Sequence, residues 1–109
     1  MSNEKIENGT PFVFADAINY QADGIVSKKI IQKDKGNITL FAFDAGQKLS
    51  EHTAPFDALV QVMQGSAEVL IAGKSNQLTA GQSIIMPANI PHAVNAIERF
   101  IMLLTMIRE

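Results

Sequence analysis

Glycine-containing turns interrupt this chain so often that no segment between them sustains the 3.6-residue period of a helix. The intervening runs are short and rich in β-branched and aromatic residues, which is typical of strands. Five glycines, a residue type that adopts positive φ at low cost, mark these turns: Gly36, Gly46, Gly65, Gly73 and Gly81. Short strands at regular spacing predict an all-β sandwich or barrel. Only residues 14–19 could form a helix, of a single turn.

Two of the predicted strands are apolar on both faces. The predicted strands are Val26–Gln32, Ile38–Phe43, Lys48–His52, Ala58–Met63, Ala67–Ile71, Asn76–Leu78, Ser83–Met86, His92–Asn95 and Phe100–Ile107. Apolar residues occupy every position of Leu40–Phe43 and nearly every position of Phe100–Ile107, so a second face of each must be covered. We predict a homodimer to which the C-terminal strand and the strand containing Phe41 contribute. The alternative is that the N-terminal segment, through residues 11–14, folds over that face within one subunit.

The composition narrows the range of functions. A chain of 109 residues, 47% of them hydrophobic, predicts one domain over residues 1–109, with residues 1–24 as an extension that covers the barrel or a dimer partner. A net charge of −2 without a basic stripe argues against nucleic acid as a partner. The absence of cysteine excludes disulfides and thiolate metal sites. With no signal-like or membrane-spanning segment, we expect a cytoplasmic protein with no membrane partner.

Two groups of residues follow fixed spacings along the sequence. In the first group, Gly46 is followed by His52 after five intervening residues, by Ala54 after one more, by Ala58 after three and by Gly65 after six. In the second group, Gly81 is followed by Pro87 after five intervening residues, by Asn89 after one more, by His92 after two and by Ala96 after three. Over residues 36–107 this spacing resembles the two motifs of small single-domain cupins, the RmlC-like superfamily with the type-2 conserved barrel.

The resemblance implies a double-stranded β-helix, or jelly-roll, barrel. It also implies a degenerate metal site, because Ala54 and Ala58 stand where the first cupin motif has metal ligands. In the second motif, Asn89 replaces a glycine and Ala96 replaces an asparagine. His52 and His92, the two histidines of the chain, match ligand positions of the family.

Strand periodicity places alternate residues from His52 onward on one face, which in a small barrel is the interior. The predicted pocket is therefore lined by His52, Ala54, Ala58 and Val60, together with His92 and with Met86. Met86 could reach the pocket as a soft contact or could instead fill the core. We expect this pocket to hold a small organic molecule, and we assign no catalytic residue.

The resemblance implies a divalent transition metal (iron, manganese, zinc or nickel) with His52 and His92 as ligands. A mononuclear site normally needs at least three protein ligands. Glu51 or Asp57 could supply a third if the segment after His52 bulges, and Gln61 could do so if the strand parity shifts. The other interpretation is a histidine pair that hydrogen bonds satisfy in an apolar pocket.

These observations lead to competing functions. The first is a binding module whose pocket holds a small organic ligand. The second is a metal-dependent enzyme of dioxygenase or isomerase type that uses His52 and His92. A third, metal-free acid–base chemistry on one histidine, needs a tyrosine opposite it, and the only tyrosine, Tyr20, lies outside the predicted strands. The sequence leaves open whether the protein is an enzyme.

Overall fold

The computed structural model describes residues 5–108, and strands make up most of them. One turn of 3-10 helix at Phe14–Asp16 precedes the strands. The strands in this range are β1 (Ile25–Lys33), β2 (Gly36–Phe43), β3 (Lys48–His52), β4 (Asp57–Gln64), β5 (Ser66–Ile71), β6 (Lys74–Thr79), β7 (Ser83–Met86), β8 (His92–Ala96) and β9 (Phe100–Ile107). The all-β prediction is confirmed, and each predicted strand overlaps one of these. No helix within residues 5–108 is long and apolar enough to cross a membrane.

The strands form two antiparallel sheets of a jelly roll. The five-stranded sheet has the order β1-β2-β9-β4-β7, and the four-stranded sheet has the order β3-β8-β5-β6. Strands that are distant in the sequence, such as β2 and β9, are neighbours, because the chain passes repeatedly from one sheet to the other. This topology brings β3 next to β8, and it therefore brings the two predicted ligand positions into one sheet.

The inner faces of the two sheets enclose the main core. Phe43 of β2 and Phe100 of β9 are fully buried and stack with their ring centroids 4.5 Å apart. Val69 and Val94 contribute to the same core from the four-stranded sheet. Burial of these large side chains is the main favourable term in holding the sheets together.

The outer face of the five-stranded sheet carries a second apolar cluster, which the N-terminal segment covers. Ala17 and Ile18 of that segment are 0% and 2% exposed. They pack with partly buried Phe12 and Phe14 in a cluster that also contains, from β2 and β9, Leu40, Ala42, Ile101 and Leu103. The ammonium group of Lys28 on β1 donates a hydrogen bond of 2.7 Å to the carbonyl oxygen of Ala17, which fixes the segment to the edge of the sheet.

This packing corrects the surface that was expected for a homodimer. For the half of the outer face that β2 forms, the alternative of a cover within one subunit is correct. Leu40 and Ala42 are fully buried beneath the chain's own N-terminal segment. Phe41 points the other way and packs against the inner core. The strand containing Phe41 therefore offers no apolar face to a second copy, and the homodimer itself stays a prediction.

Gly65 lies where the chain passes from β4 in one sheet to β5 in the other. Its φ is +79°, and a Cβ built on it would overlap the backbone carbonyl oxygen of Arg99. Gly73, between β5 and β6, also has a φ of +79°, but a Cβ there would meet nothing within 4 Å. The two positions share the same φ and differ in the space around them.

This pair separates backbone strain from steric overlap. Gly73→Ala should reduce the free energy of unfolding by about 1–2 kcal/mol, the cost of a left-handed conformation for an L-residue. Gly65→Ala should cost a further ~1–3 kcal/mol, because the backbone of β9 must also move. Urea denaturation of both variants measures the difference. Equal losses would show that the approach of Gly65 to Arg99 does not constrain the fold.

Candidate functional site

An irregularity in β3 brings the two histidines face to face. In the pairing of β3 with β8, Leu49 lies opposite Val94 and His52 lies opposite His92. The interval is three residues on β3 but two on β8, so β3 contains one extra residue, as in a β-bulge. In a regular strand, alternation would place residues three apart, such as Leu49 and His52, on opposite faces of the sheet. The bulge therefore lets His52 share the inner face with His92.

The hydrogen bonds of the two rings determine which nitrogens they present to each other. Nδ1 of His52 lies 2.7 Å from the carbonyl oxygen of Ser50, and Nδ1 of His92 lies 3.2 Å from that of Ile90. A carbonyl oxygen only accepts hydrogen bonds, so each Nδ1 carries a proton and donates. In the neutral form of each ring, Nε2 is then an unprotonated acceptor.

The two Nε2 atoms lie 3.1 Å apart, with the ring centroids separated by 4.3 Å. Two acceptors at this distance do not attract one another. A proton on one Nε2 converts the contact into an N–H···N hydrogen bond, and a donor group of a bound molecule, or a cation, can satisfy both nitrogens instead. The pair is therefore a site where two electron pairs converge.

The environments of the rings differ. His92 is only 6% exposed, whereas His52 is exposed to solvent. Burial, and secondly a positive charge on His52, lower the pKa of His92, while its hydrogen bond to Ile90 acts in the opposite direction. The pair therefore combines a buried ring that resists protonation with a ring that is open to solvent.

Two loops hold the histidines in place. The backbone N–H of Asn89 donates to the carbonyl oxygen of Ala54 over 2.7 Å, which joins the loop after His52 to the loop before His92. Asn89 has a φ of +65°, and asparagine is among the residues that best tolerate this conformation, which explains how it replaces the glycine of the cupin motif. The N–H of Ala88 donates to Oδ1 of Asp57 over 2.9 Å and adds a second connection.

The predicted pocket-lining residues do not have equal access to solvent. Ala58, Val60 and Met86 belong to the inner core and are 3%, 0% and 4% exposed, so they pack against protein. Ala54, in the loop after β3, is partly exposed. The part of the predicted lining that a molecule can reach therefore lies at the mouth of the barrel, around His52, Ala54 and the edge of His92.

None of the side chains predicted as a third metal ligand joins the histidine pair within residues 5–108. Within residues 5–108, no group of three or more histidine, cysteine, aspartate or glutamate side chains could hold a metal ion. The carboxylate of Asp57 accepts the hydrogen bond of Ala88, and Glu51 is exposed. Gln61 pairs with Leu103, a residue of the outer cluster, and so lies on the outer face of the five-stranded sheet. The described donor set therefore consists of two nitrogens.

Two clefts that the sequence did not predict lie away from the histidines. One, of about 580 Å³, is lined by Tyr20, Gln64 and Arg99 beside the N-terminal segment. The other, of about 760 Å³, lies where β4, β7 and β9 meet the loop that contains Phe56. In the sequence, the only sign of the second cleft is that Thr105 and Ile107 alternate at the end of β9 and so share one face. Which residues lie beside them is shown only by the order of the strands in the sheet.

Comparison with known proteins gives consistent results. Residues 39–107 match the family of the cupin domain. A conserved protein of unknown function from Streptococcus pyogenes is 34% identical, with a TM-score of 0.91 and coverage of 97% of this chain and 93% of that one. A cupin 2 conserved barrel domain protein from Leptotrichia buccalis is 40% identical, with a TM-score of 0.83 over 86% of this chain and 46% of that one. A cupin superfamily protein from Desulfitobacterium hafniense is 25% identical, with a TM-score of 0.90 over 97% of each chain. Among curated protein sequences, none matches the chain significantly.

The lowered pKa of His92 predicts a pH dependence of stability. Below a pH of about 6.5 the unfolded chain accepts a proton at this position that the folded chain resists, so the free energy of unfolding should fall as the pH falls. The pKa values of Asp44 and Glu68 are also lowered, but these carboxyl groups change the free energy of unfolding only below about pH 4.5. They therefore do not affect it near the pH at which histidine titrates. Chemical denaturation between pH 7.5 and 5.5 measures the slope, which His92→Gln should reduce. Equal slopes in the two proteins would contradict the assignment.

Proposed function

Because this chain belongs to the cupin domain family, we propose that it binds a small organic molecule at the mouth of its barrel, where His52 and His92 recognise a polar group of that molecule. The convergence of the two Nε2 atoms at 3.1 Å carries this proposal. Two acceptors held this close, each fixed by a hydrogen bond at the opposite nitrogen of its ring, are pre-organised for a donor or a proton.

The chemistry of the pair favours a ligand with a hydroxyl or carboxylic acid group. A hydroxyl hydrogen can be donated to either Nε2 and relieves the contact of two acceptors. A carboxylic acid can transfer its proton to His52 and remain bound as a carboxylate next to the imidazolium. Both modes use the exposed ring as the contact and the buried ring as its support.

The packing supports a ligand at the mouth and not in the depth of the barrel. The inner core below the histidines contains fully buried Phe43, Val60 and Phe100, so a ligand would have to displace close-packed side chains to enter it. At the mouth, partly exposed Ala54 stands where the family has a metal ligand, and its methyl group is smaller than such a side chain. Ala54 thus acts in this proposal as a small wall residue.

Nuclear magnetic resonance of the histidine rings tests the proposal with a panel of small hydroxy acids, phenols and sugars. A ligand should shift the ring signals of His52 and His92, and His52→Ala should weaken its binding at least tenfold, the loss of one hydrogen bond to a charged group. Thr53→Ala, a change at an exposed neighbouring position, is the matched control and should bind normally. Shifts confined to residues of the two distant clefts would contradict the proposal.

A metal-dependent enzyme of dioxygenase or isomerase type is the second candidate, and one observation favours it. The two Nε2 atoms are 3.1 Å apart, close enough for both nitrogens to reach one ion at the usual metal–nitrogen distance of about 2.0–2.1 Å. His52 and His92 would hold an iron, manganese, zinc or nickel ion, which would supply Lewis-acid or oxygen chemistry. The pair fits in distance but falls short of three protein donors, which ranks this candidate second.

Elemental analysis separates the two candidates. The protein, purified without chelator or added metal, should contain far less than one transition metal ion per chain if it is a binding module. Near-stoichiometric metal that disappears in the His52→Ala/His92→Ala double variant would establish the metal-dependent candidate and overturn the ranking. Metal that persists in the double variant would be bound elsewhere and would leave the ranking unchanged.

Acid–base chemistry with a tyrosine opposite the histidines receives no support from the position of Tyr20. Its ring packs in the outer cluster, with the guanidinium of Arg99 5.1 Å from the ring centroid. It therefore lies on the other side of the five-stranded sheet from the inner-facing histidines. A homodimer and a cytoplasmic location remain part of the proposal, the location on composition alone.

A further inference from the structure

A second irregular strand turns a polar side chain to the outer face of the five-stranded sheet. In the pairing of β4 with β9, Val62 lies opposite Met102. The next pair joins Gln64 to Ile101, an interval of two residues on β4 and one on β9, so β4 contains an extra residue. In a regular strand, alternation would place Gln64 on the inner face with Val62. It lines instead, with Ile101, the cleft of about 580 Å³ beside the N-terminal segment. Bulges are frequent next to functional sites, where they redirect a side chain.

The turn before β9 brings Arg99 close to Gln64. Gly65 follows Gln64 and approaches the carbonyl oxygen of Arg99 so closely that a Cβ would overlap it. Nε of Arg99 donates a hydrogen bond of 2.8 Å to Oδ1 of Asp44. Oδ2 of Asp44 in turn accepts a hydrogen bond of 2.8 Å from the backbone N–H of Asp23. A guanidinium has five N–H donors, and this pairing orients the group through one of them.

Tyr20 also lines the cleft, and its hydroxyl group lacks an acceptor. The guanidinium of Arg99 lies 5.1 Å from the centroid of the Tyr20 ring. The hydroxyl is buried, yet it makes no hydrogen bond to any residue in the described range 5–108. Buried hydroxyl groups normally have a partner, because burial removes the hydrogen bonds that water would make. Burial also raises the pKa of this phenol, so at neutral pH it keeps its proton and can donate it.

The charged side chains that line the cleft have opposite signs. Among the described residues around it, the cation is Arg99 and the anion is Asp16, on the 3-10 helix. Asn19 and Gln64 add two amide groups, each of which both donates and accepts hydrogen bonds. A simple anion would be attracted by Arg99 but repelled by Asp16. A molecule with both a carboxylate and an ammonium group matches both charges.

We propose that this cleft, which we call the Tyr20–Arg99 cleft, binds a free α-amino acid. The guanidinium of Arg99 and the hydroxyl of Tyr20 hold the carboxylate, whose two oxygens suit the planar fork of an arginine. The carboxylate of Asp16 holds the ammonium group, and the two amides contact a polar side chain of the ligand. The volume of about 580 Å³ is within the range of about 300–1,000 Å³ that is usual for small-molecule sites.

This site is separate from the histidine pair. The cleft lies on the outer face of the five-stranded sheet, beside the N-terminal segment, whereas His52 and His92 face the inside of the barrel. The inference therefore adds a second ligand site to the protein and does not rest on the proposed function.

Isothermal titration calorimetry with each of the genetically encoded amino acids, and with acetate and methylammonium, tests the inference. At least one amino acid should bind about tenfold or more tightly than acetate and methylammonium, because each of these supplies only one of the two charged contacts. In nuclear magnetic resonance spectra, that amino acid should shift the side-chain amide signals of Gln64 and the Nε–H signal of Arg99. The ring signals of His52 and His92 should not move.

Two variants test the assigned contacts. Tyr20→Phe should weaken binding of the amino acid at least about tenfold, but it should not lower the resistance of the unliganded protein to urea, because it removes a buried polar atom that has no partner. Asp16→Asn should weaken binding of the amino acid by a similar factor and should not weaken binding of acetate. The matched control is Asp34→Asn, in the exposed turn between β1 and β2, which should bind like the wild type.

The contrary results are distinct. Failure of every amino acid to bind would overturn the inference, as would an affinity that Tyr20→Phe leaves unchanged. Acetate that binds as tightly as the amino acids would overturn the ligand class, because the site would then recognise an anion alone. These three results leave the proposed function as it stands. An amino acid that shifts the ring signals of His52 and His92 instead would bind at the barrel mouth and would overturn the Tyr20–Arg99 cleft as its site.

Discussion

Strand β9 must be covered on both faces, and the rest of the structure depends on this constraint. Five successive residues, Phe100–Leu104, are buried, so β9 lies in the middle of its sheet and is shielded on either side. The four-stranded sheet covers its inner face, and the N-terminal segment covers much of its outer face. The apolar end of β9, at Ile107, has neither cover and is 65% exposed.

The histidine site depends on a local departure from regular strand geometry. The extra residue of β3 brings His52 to the inner face, and the backbone carbonyls of Ser50 and Ile90 then hold both rings by Nδ1. Each ring is thus oriented by the segment that leads to it. The outcome is a pair of facing Nε2 atoms with a buried and an exposed member, a geometry suited to contact a proton or the donor group of a ligand.

Much of this arrangement was predictable from the sequence. The glycine turns and short β-type runs predicted the strands, and the motif spacing predicted that His52 and His92 meet. The apolar character of both faces of β9 also predicted a cover, but it did not decide between the N-terminal segment and a second copy. That choice depends on where Ala17 and Ile18 pack, which is a long-range contact.

Other features could not be predicted from local patterns. The bulge in β3 depends on pairing with β8, and nothing in residues 48–52 alone specifies an extra residue. Likewise, alternation placed Val60 on the inner face, but only the packing of two sheets shows that it is buried against protein. The cleft beside Phe56 requires the neighbourhood of β4, β7 and β9, which are separated in the sequence.

The central claim is that both imidazoles carry their proton on Nδ1 and present Nε2 to each other. Two-dimensional proton–nitrogen spectroscopy of the rings at alkaline pH tests it most directly. The account predicts a protonated Nδ1 and an unprotonated Nε2 in both His52 and His92. A proton on Nε2 of either ring under these conditions would mean that the two electron pairs do not converge, and it would contradict the account of the site.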